Sequence, residues 1–157
     1  MVNGLPKVLV AYESKYGNTK LVAEKIIEGM KEVEGTETAL RELKEVDLNA
    51  IVNYDAILIG SPNHFGGPTR GVTKFIDKLG KLPLKEKMFA VFDTYLAGDF
   101  EKAVKKMETR MNEKVPGLKR MAPRLSIKVQ GMKGPVPGEE LPKCKDFGKK
   151  IANQLKT

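Results

Sequence analysis

The chain has 157 residues, of which 41% are apolar and 31% charged, and its formal net charge is +8. This length predicts one domain, residues 1–157, with a sizeable core, and the composition excludes a disordered chain. No apolar run approaches the ~18 residues that a bilayer span needs, and no signal-peptide segment follows Met1. We therefore expect a cytoplasmic protein without membrane association.

The chain contains one cysteine, Cys144, and one histidine, His64. These counts exclude an intramolecular disulfide, a multi-cysteine zinc or iron–sulfur site and a histidine-rich metal site. We therefore expect no metal centre. Cys144 lies on the apolar stripe of the last predicted helix, which favours a core residue over a redox thiol.

The charge is distributed unevenly. Residues 1–78 carry a net charge of −1 and residues 79–157 a net charge of +9. Such an excess is compatible with nucleic acid, with an acidic protein partner or with a solvated surface. Because the lysines alternate with glutamates and no RNA-recognition aromatic motif occurs, we expect no nucleic-acid partner.

Short β-branched apolar segments alternate with segments of helical periodicity. The sequence predicts strands over 7–12, 36–43, 55–60, 87–93 and 125–130, and helices over 22–33, 69–79, 99–112 (with Asp99 as N-cap) and 139–155. This alternation predicts an α/β fold, a three-layer α/β/α sandwich around a five-stranded parallel sheet. Ligands of such sheets lie beyond the carboxyl ends of the strands. The candidate site therefore lies on the loops after Tyr12, Gly60, Asp93 and Gln130.

The first of these loops, residues 13–19, leads directly into a helix. It supplies side-chain hydroxyl and amide groups from Ser14, Asn18 and Thr19, together with the unpaired N–H groups of a helix start. These groups favour a phosphate, although the loop matches neither GxxxxGK[ST] nor GxGxxG. An ordinary helix N-cap made by Asn18 or Thr19 explains the same residues equally well.

The second and third loops carry aromatic rings. In the second loop, residues 61–69, His64 and Phe65 lie at the tip, and an exposed ring there favours a planar ligand. Tyr95 in the third loop, residues 93–98, offers a second wall for a slot whose first wall is Phe65 or His64. His64 has no carboxylate partner nearby in the sequence, so we predict no acid–base role for it. The three loops together fit a ligand with a phosphate at one end and a flat ring at the other.

Three segments resemble the flavodoxin family. VLVAYESKYGNTKLVAEKI, residues 8–26, is similar to the family's phosphate-binding motif S/T-x-T/Y-G-x-T. GSPNHFGGPTRGVTKFI, residues 60–76, resembles its second flavin loop, especially in flavodoxin-like quinone reductases, and VFDTY, residues 91–95, falls where the third is expected. The likeness covers essentially the whole chain, and the length matches short-chain flavodoxins. It implies the flavodoxin-like strand order 2-1-3-4-5.

The resemblance further implies non-covalent FMN, with no catalytic residue and no metal ligand. The phosphate is expected at Ser14, Lys15, Tyr16, Gly17, Asn18 and Thr19. The isoalloxazine ring is expected between two further sets, Ser61, Pro62, Asn63, His64, Phe65, Gly66 and Gly67, and Asp93, Thr94, Tyr95 and Gly98. Since the chain has no tryptophan, His64, Phe65 and Tyr95 are the alternatives for ring stacking. Either Gly66 or Gly67 is expected to let a peptide flip and accept a hydrogen bond from N5 of the reduced flavin.

Two functions follow from the resemblance. The first is a small electron carrier that uses FMN to pass electrons between redox partner proteins; the alternative is an NAD(P)H:quinone oxidoreductase. The minimal length favours the carrier, whereas the SPNHFGGP segment, residues 61–68, favours the reductase. Carriers of this family are typically acidic around the flavin, but the basic second half of this chain favours acidic partners.

Overall fold

The computed structural model describes residues 4–121 and 123–156. The strands are β1 (Lys7–Tyr12), β2 (Glu37–Glu42), β3 (Ala56–Pro62), β4 (Met88–Tyr95), β5 (Lys119–Arg120) and β6 (Leu125–Lys128). The helices are α1 (Asn18–Lys31), α2 (Arg70–Leu79), α3 (Lys102–Lys114) and α4 (Leu141–Lys156), with 3₁₀ turns at Leu43–Glu45, Leu48–Asn53 and Gly138–Glu140. The five predicted strands and four predicted helices are all present, and the first two 3₁₀ turns were not predicted.

All strands of the sheet pair in parallel, in the order β2-β1-β3-β4-β5. The predicted fold class and strand order are therefore confirmed. The carboxyl ends of β1, β3 and β4 meet at one edge, because Tyr12 lies opposite Gly60 and Ser61 lies opposite Asp93. This register brings the loops predicted to carry the site to the same edge of the sheet.

The fifth position of the sheet differs from the single predicted strand over 125–130. Two short strands share it, because β5 pairs with the beginning of β4 and β6 pairs with its end. Glu108 of α3 forms ion pairs with Arg120 at 3.2 Å and with Arg124 at 2.7 Å, and so connects α3 to the chain between the two short strands. Beyond β6, the amide of Gln130 turns away from the sheet and donates to the carbonyl of Pro135 at 3.0 Å.

The core consists of two apolar layers, one on each face of the sheet. Alternate residues of β1 point to opposite layers: Val8 and Val10 pack under α1 and α4, while Leu9 and Ala11 pack under α2 and α3. Cys144 lies in the first layer, and burial raises the pKa of its thiol to about 12. The prediction of a core cysteine is therefore confirmed. Within the described residues, no helix is long and apolar enough to cross a membrane.

Helices α1 and α4 cross at two glycines. A Cβ placed on Gly148 would overlap the backbone carbonyl oxygen of Ile26, and one placed on Gly29 would overlap that of Lys145. Both glycines are buried. Glycine costs a helix about 1 kcal/mol relative to alanine, so its presence in both helices reflects the close approach of the two backbones.

Asp93, a predicted site residue at the end of β4, is fully buried. Its Oδ1 accepts a hydrogen bond from the Ser126 hydroxyl at 2.5 Å, and its Oδ2 accepts one from the amide of Val104 at 3.1 Å. Val104 is the third residue of α3, the position that an N-cap side chain normally serves. The side chain of Asp93, at the end of the preceding strand β4, therefore caps the N-terminus of α3.

The predicted cap at Asp99 and the predicted helix start there are wrong. Helix α3 begins at Lys102, its N-cap position is Glu101 with φ 61°, and that residue makes no side-chain cap. The Asp99 carboxylate instead pairs with Lys102 at 3.4 Å. Similarly, α4 begins at Leu141 rather than at Glu139, which lies in the preceding 3₁₀ turn.

We expect Gly148→Ala to destabilise the protein by about 1–3 kcal/mol, because the added methyl group meets backbone atoms that cannot rotate away. Chemical denaturation followed by circular dichroism measures this effect. Gly138→Ala is the matched control, since a Cβ at Gly138 meets nothing within 4 Å. Equal free energies of unfolding for the two variants would contradict the packing argument.

We also expect Asp93 to make the stability of the protein fall as the pH rises. Burial raises the pKa of Asp93 from its ordinary 3.8 to about 6, while the hydrogen bonds from Ser126, Val104 and Asn63 oppose the shift. The folded protein thus binds the proton more tightly than the unfolded chain does. The stability contributed by neutral Asp93 is complete below about pH 4 and is lost as the pH rises through 6.

The measurement is the free energy of unfolding of the wild type and of Asp93→Asn, which stays neutral, at pH values from 4 to 7. The wild type should lose roughly 2–3 kcal/mol relative to the variant over this range. A difference between the two proteins that does not change with pH would contradict the raised pKa.

Candidate functional site

The first loop ends in a glycine that leaves the start of α1 open. Gly17 occupies the N-cap position with φ 92°, and no side chain in the described part of the chain caps the helix. The alternative prediction, a cap made by Asn18 or Thr19, is therefore wrong. The Gly17 amide donates to the Ser14 hydroxyl at 3.0 Å, while the amides of Lys15 and Tyr16 have no acceptor among the described residues. These amides and the first turn of α1 present positive partial charge to an anion.

Thr19 is directed inward rather than toward the open loop. It is buried, and its hydroxyl lies 3.0 Å from the hydroxyl of Thr94 at the end of β4. This contact joins the first loop to the third.

The second loop folds back at its tip into a two-residue turn. His64 and Gly67 exchange backbone hydrogen bonds of 2.7 and 3.1 Å, and the residues between them, Phe65 and Gly66, have φ values of 53° and 73°. Two consecutive positive φ values are typical of tight hairpin turns, and such values are uncommon for a bulky residue. The turn holds Phe65 fully exposed, at 101% of its reference area.

The two ends of the second loop are joined at Thr69. Its amide donates to the buried Ser61 hydroxyl at 3.1 Å, and its own hydroxyl donates to the carboxylate of Glu13. The same hydroxyl accepts from the amide of Val72 at 3.2 Å and so caps α2. The Glu13 carboxylate lies against the first turn of α2, 2.7 Å from where a Cβ of Gly71 would be.

Glu13 and Thr69 were not among the predicted site residues. The position of Thr69 at the start of a predicted helix is a visible N-cap signal, but its bond to Glu13 joins residues 56 positions apart. Neither hydrophobic periodicity nor a short sequence motif predicts a contact between residues so far apart in the sequence.

The third loop is joined to the second through Thr94. The backbone and side-chain N–H groups of Asn63 both donate to the Thr94 carbonyl oxygen, each at 3.0 Å. The other side-chain atom of Asn63, Oδ1, is buried and has no donor among the described residues. An acceptor in this state favours a ligand that brings its own N–H or O–H group.

Tyr95 and Gly98 complete the third loop. The Tyr95 ring packs edge-on against Phe100, with 5.4 Å between the ring centroids, and burial raises the pKa of its hydroxyl. A Cβ on Gly98 would meet nothing within 4 Å, so the backbone there is open.

A fourth segment, residues 129–137, closes over the first loop. A Cβ on Gly134 would overlap the side-chain amide of Asn18, which shows how closely the backbone of this segment packs against that side chain. The ammonium groups of Lys15 and Lys133 lie 5.5 and 6.0 Å from the centroid of the Tyr16 ring, within cation–π range. The predicted site list omitted this segment, although the loop after Gln130 was a predicted location.

The structure thus brings all three predicted groups, residues 14–19, 61–67 and 93–98, to one edge of the sheet. Four of the predicted side chains, those of Thr19, Ser61, Asp93 and Thr94, are buried and bonded to other parts of the protein. The exposed features are the rings of His64, Phe65 and Tyr16 and the open backbone at Gly17 and Gly98. Among residues 4–121 and 123–156, no cluster of His, Cys, Asp and Glu side chains is arranged to hold a metal ion.

Comparison with known proteins agrees with this architecture. A family model described as a flavodoxin domain matches residues 9–129. A flavodoxin of Aquifex aeolicus is 37% identical over 71 residues, a match that spans 45% of this chain and 38% of that relative's length.

Two solved structures are similar over nearly the whole chain. A flavodoxin from the domain Archaea superposes with a TM-score of 0.82 at 27% identity, covering 96% of this chain and 99% of that one. Oxidised flavodoxin 2 from Bacillus cereus superposes with a TM-score of 0.80 at 28% identity, covering 94% and 99%. On the family match and the sheet order together, the chain belongs to the flavodoxin family.

Proposed function

We propose that this protein is an electron carrier that holds FMN on residues 13–19, 61–69 and 93–98 and exchanges electrons with redox partner proteins. Flavodoxins bind FMN non-covalently. The proposal rests on the observation that these three loops form one connected rim at the edge of the sheet. At one end it has backbone amides that lack an acceptor within residues 4–121 and 123–156, and at the other it has exposed rings. Hydrogen bonds through Thr94 and Thr69 join its three parts. When bound, FMN supplies the redox chemistry, and the protein supplies binding, orientation and electrostatics.

The phosphate end of the proposed site is the first loop. The amides of Lys15 and Tyr16 and the first turn of α1 form an anion site, with the hydroxyl of Ser14 and the side chain of Asn18 beside them. Open space at Gly17, where a Cβ meets nothing within 4 Å, lets a phosphate approach the backbone closely.

The ring end of the proposed site lies between the second and third loops. Residues 61–67 and 93–98 would enclose the isoalloxazine, with Phe65 or His64 as one wall and Tyr95 as the other. The buried, donor-free Asn63 Oδ1 fits a flavin, which offers both ring N–H and ribityl O–H donors. Of the two candidate glycines, we favour Gly66 as the one whose peptide turns toward N5. Both backbone groups of Gly67 are already bonded to His64, whereas those of Gly66 have no partner among the described residues.

Several further points belong to the same proposal. The chain would work as a single domain over residues 1–157, in the cytoplasm, where its single cysteine needs no oxidising compartment.

The NAD(P)H:quinone oxidoreductase remains the second candidate, favoured by the SPNHFGGP segment, residues 61–68.

We expect FMN to bind the apoprotein far more tightly than riboflavin, which lacks the phosphate. Gly17→Ala should weaken FMN binding by about tenfold or more, because alanine at φ 92° is strained by roughly 1–2 kcal/mol and its methyl group occupies the open space. The loss for riboflavin should be smaller. Quenching of flavin fluorescence measures both affinities.

Gly35→Ala is the matched control, because Gly35 has φ 101° and lies between α1 and β2, at the opposite end of the sheet. It imposes the same backbone strain away from the site. Equal losses of FMN affinity in the two variants would argue against a phosphate site at Gly17, and no FMN binding by the wild type would overturn the proposed function.

Turnover separates the two candidate functions. A carrier has no site of its own for a nicotinamide, so we expect the purified FMN-loaded protein to oxidise NADPH with benzoquinone no faster than free FMN does. Absorbance at the NADPH band measures the rate. Sustained turnover well above the free-FMN rate would favour the reductase.

A further inference from the structure

The rim of the site carries a small surface of exposed basic and apolar side chains. We define this docking surface by Lys15, Phe100, Lys106, Met132 and Lys133. Phe100 and Met132 are exposed at 55% and 71% of their reference areas. The three lysines are exposed as well.

The lysines of the docking surface are not neutralised. The side chain of Lys106 lies beside the hairpin of the second loop, with its Cδ 3.3 Å from where a Cβ of Gly67 would be. Lys15 and Lys133 flank the Tyr16 ring on the other side of the site. None of the three has a carboxylate within ion-pair distance among the described residues.

The carboxylates of the same loops are all engaged elsewhere. Glu13 accepts from Thr69, and Asp93 is fully buried. Asp99 pairs with Lys102, and Glu101 pairs with Lys105 at 3.7 Å and Arg124 at 3.8 Å. On these loops, the charge left without a partner is therefore positive.

Apolar side chains are concentrated at the same edge. Of the six large apolar residues that the described part of the chain exposes, four lie on the rim: Tyr16, Phe65, Phe100 and Met132. Single exposed apolar residues need no explanation, but a group of them rimmed by charge marks an interaction surface. Transient redox complexes use small contacts of this kind, and complementary charge speeds their formation.

We propose that the docking surface binds an acidic redox protein, whose carboxylates surround a small apolar patch at its own electron-transfer site. This inference rests on the proposed function, because it places the partner on the rim of the proposed FMN site. It agrees with the acidic partner that the charge distribution along the sequence favours, although carriers of this family are typically acidic around the flavin.

The experiment compares two haem proteins of opposite surface charge as oxidants of the FMN-loaded, fully reduced protein. Cytochrome b5 is the acidic probe and cytochrome c the basic probe. Each cytochrome accepts one electron, so two equivalents oxidise one reduced cofactor and the released protons pass to water. Stopped-flow absorbance gives the second-order rate constants at several ionic strengths.

We expect the wild type to react with cytochrome b5 at a rate that falls as salt is added, and with cytochrome c at a rate that rises. The double variant Lys106→Glu, Lys133→Glu should slow the cytochrome b5 reaction at low salt by about tenfold or more. The matched control is Lys85→Glu, Lys119→Glu, which makes the same change in net charge at the opposite edge of the sheet. It should change the rate by less than about threefold.

The outcomes separate the two proposals. FMN titration of each variant comes first, and if the wild type binds no FMN, the proposed function falls and this inference falls with it. If FMN binds but the two double variants behave alike, or if the cytochrome b5 rate does not fall as salt is added, only the acidic-partner inference is overturned.

Discussion

Thr94 is the residue on which the geometry of the site depends. Its hydroxyl meets that of Thr19 at the start of α1, and its carbonyl oxygen accepts two hydrogen bonds from Asn63 at the end of β3. All of these groups are buried or half-buried, where an unmade hydrogen bond costs about 1–3 kcal/mol. The three loops therefore cannot separate without breaking several bonds at once, and the site is held as one unit before any ligand binds.

This arrangement divides the residues of the site into two kinds. Thr19, Ser61 and Asp93 turn their polar atoms into the protein, where they fix the positions of strand ends and helix starts. The ligand is left with backbone amides, aromatic rings and the oxygen of Asn63. Such a division suits a cofactor that does the chemistry itself, because the protein needs rigid donors and flat surfaces rather than reactive side chains.

Most of the fold could be predicted from local patterns. Residues 7–12 form β1 as expected, because a short β-branched run has no other stable position in an alternating α/β chain. The start of α3 could not be predicted in this way: its cap comes from Asp93, 11 residues before Val104. The hydrogen bond between Glu13 and Thr69 joins residues that are even farther apart in the sequence, by 56 positions. The Glu13–Thr69 bond depends on the parallel pairing of β1 with β3, and the Asp93 cap depends on how α3 folds back against β4, so both exist only after the sheet and its helices have assembled.

The crossing of α1 and α4 has a mechanical consequence for the phosphate loop. Gly29 lies near the end of α1, and the helix begins 11 residues earlier at Asn18, directly after the loop that carries the amides. At 1.5 Å per residue, the part of α1 between its first residue and Gly29 is roughly 16 Å long. A tilt of about 5° at the crossing would displace the amides by roughly 1.4 Å, half the length of a hydrogen bond. The packing of α1 against α4 near the end of α1 thus sets the orientation of the amides at its beginning. A methyl group added at the crossing would therefore shift the phosphate loop even though it lies far from the rim.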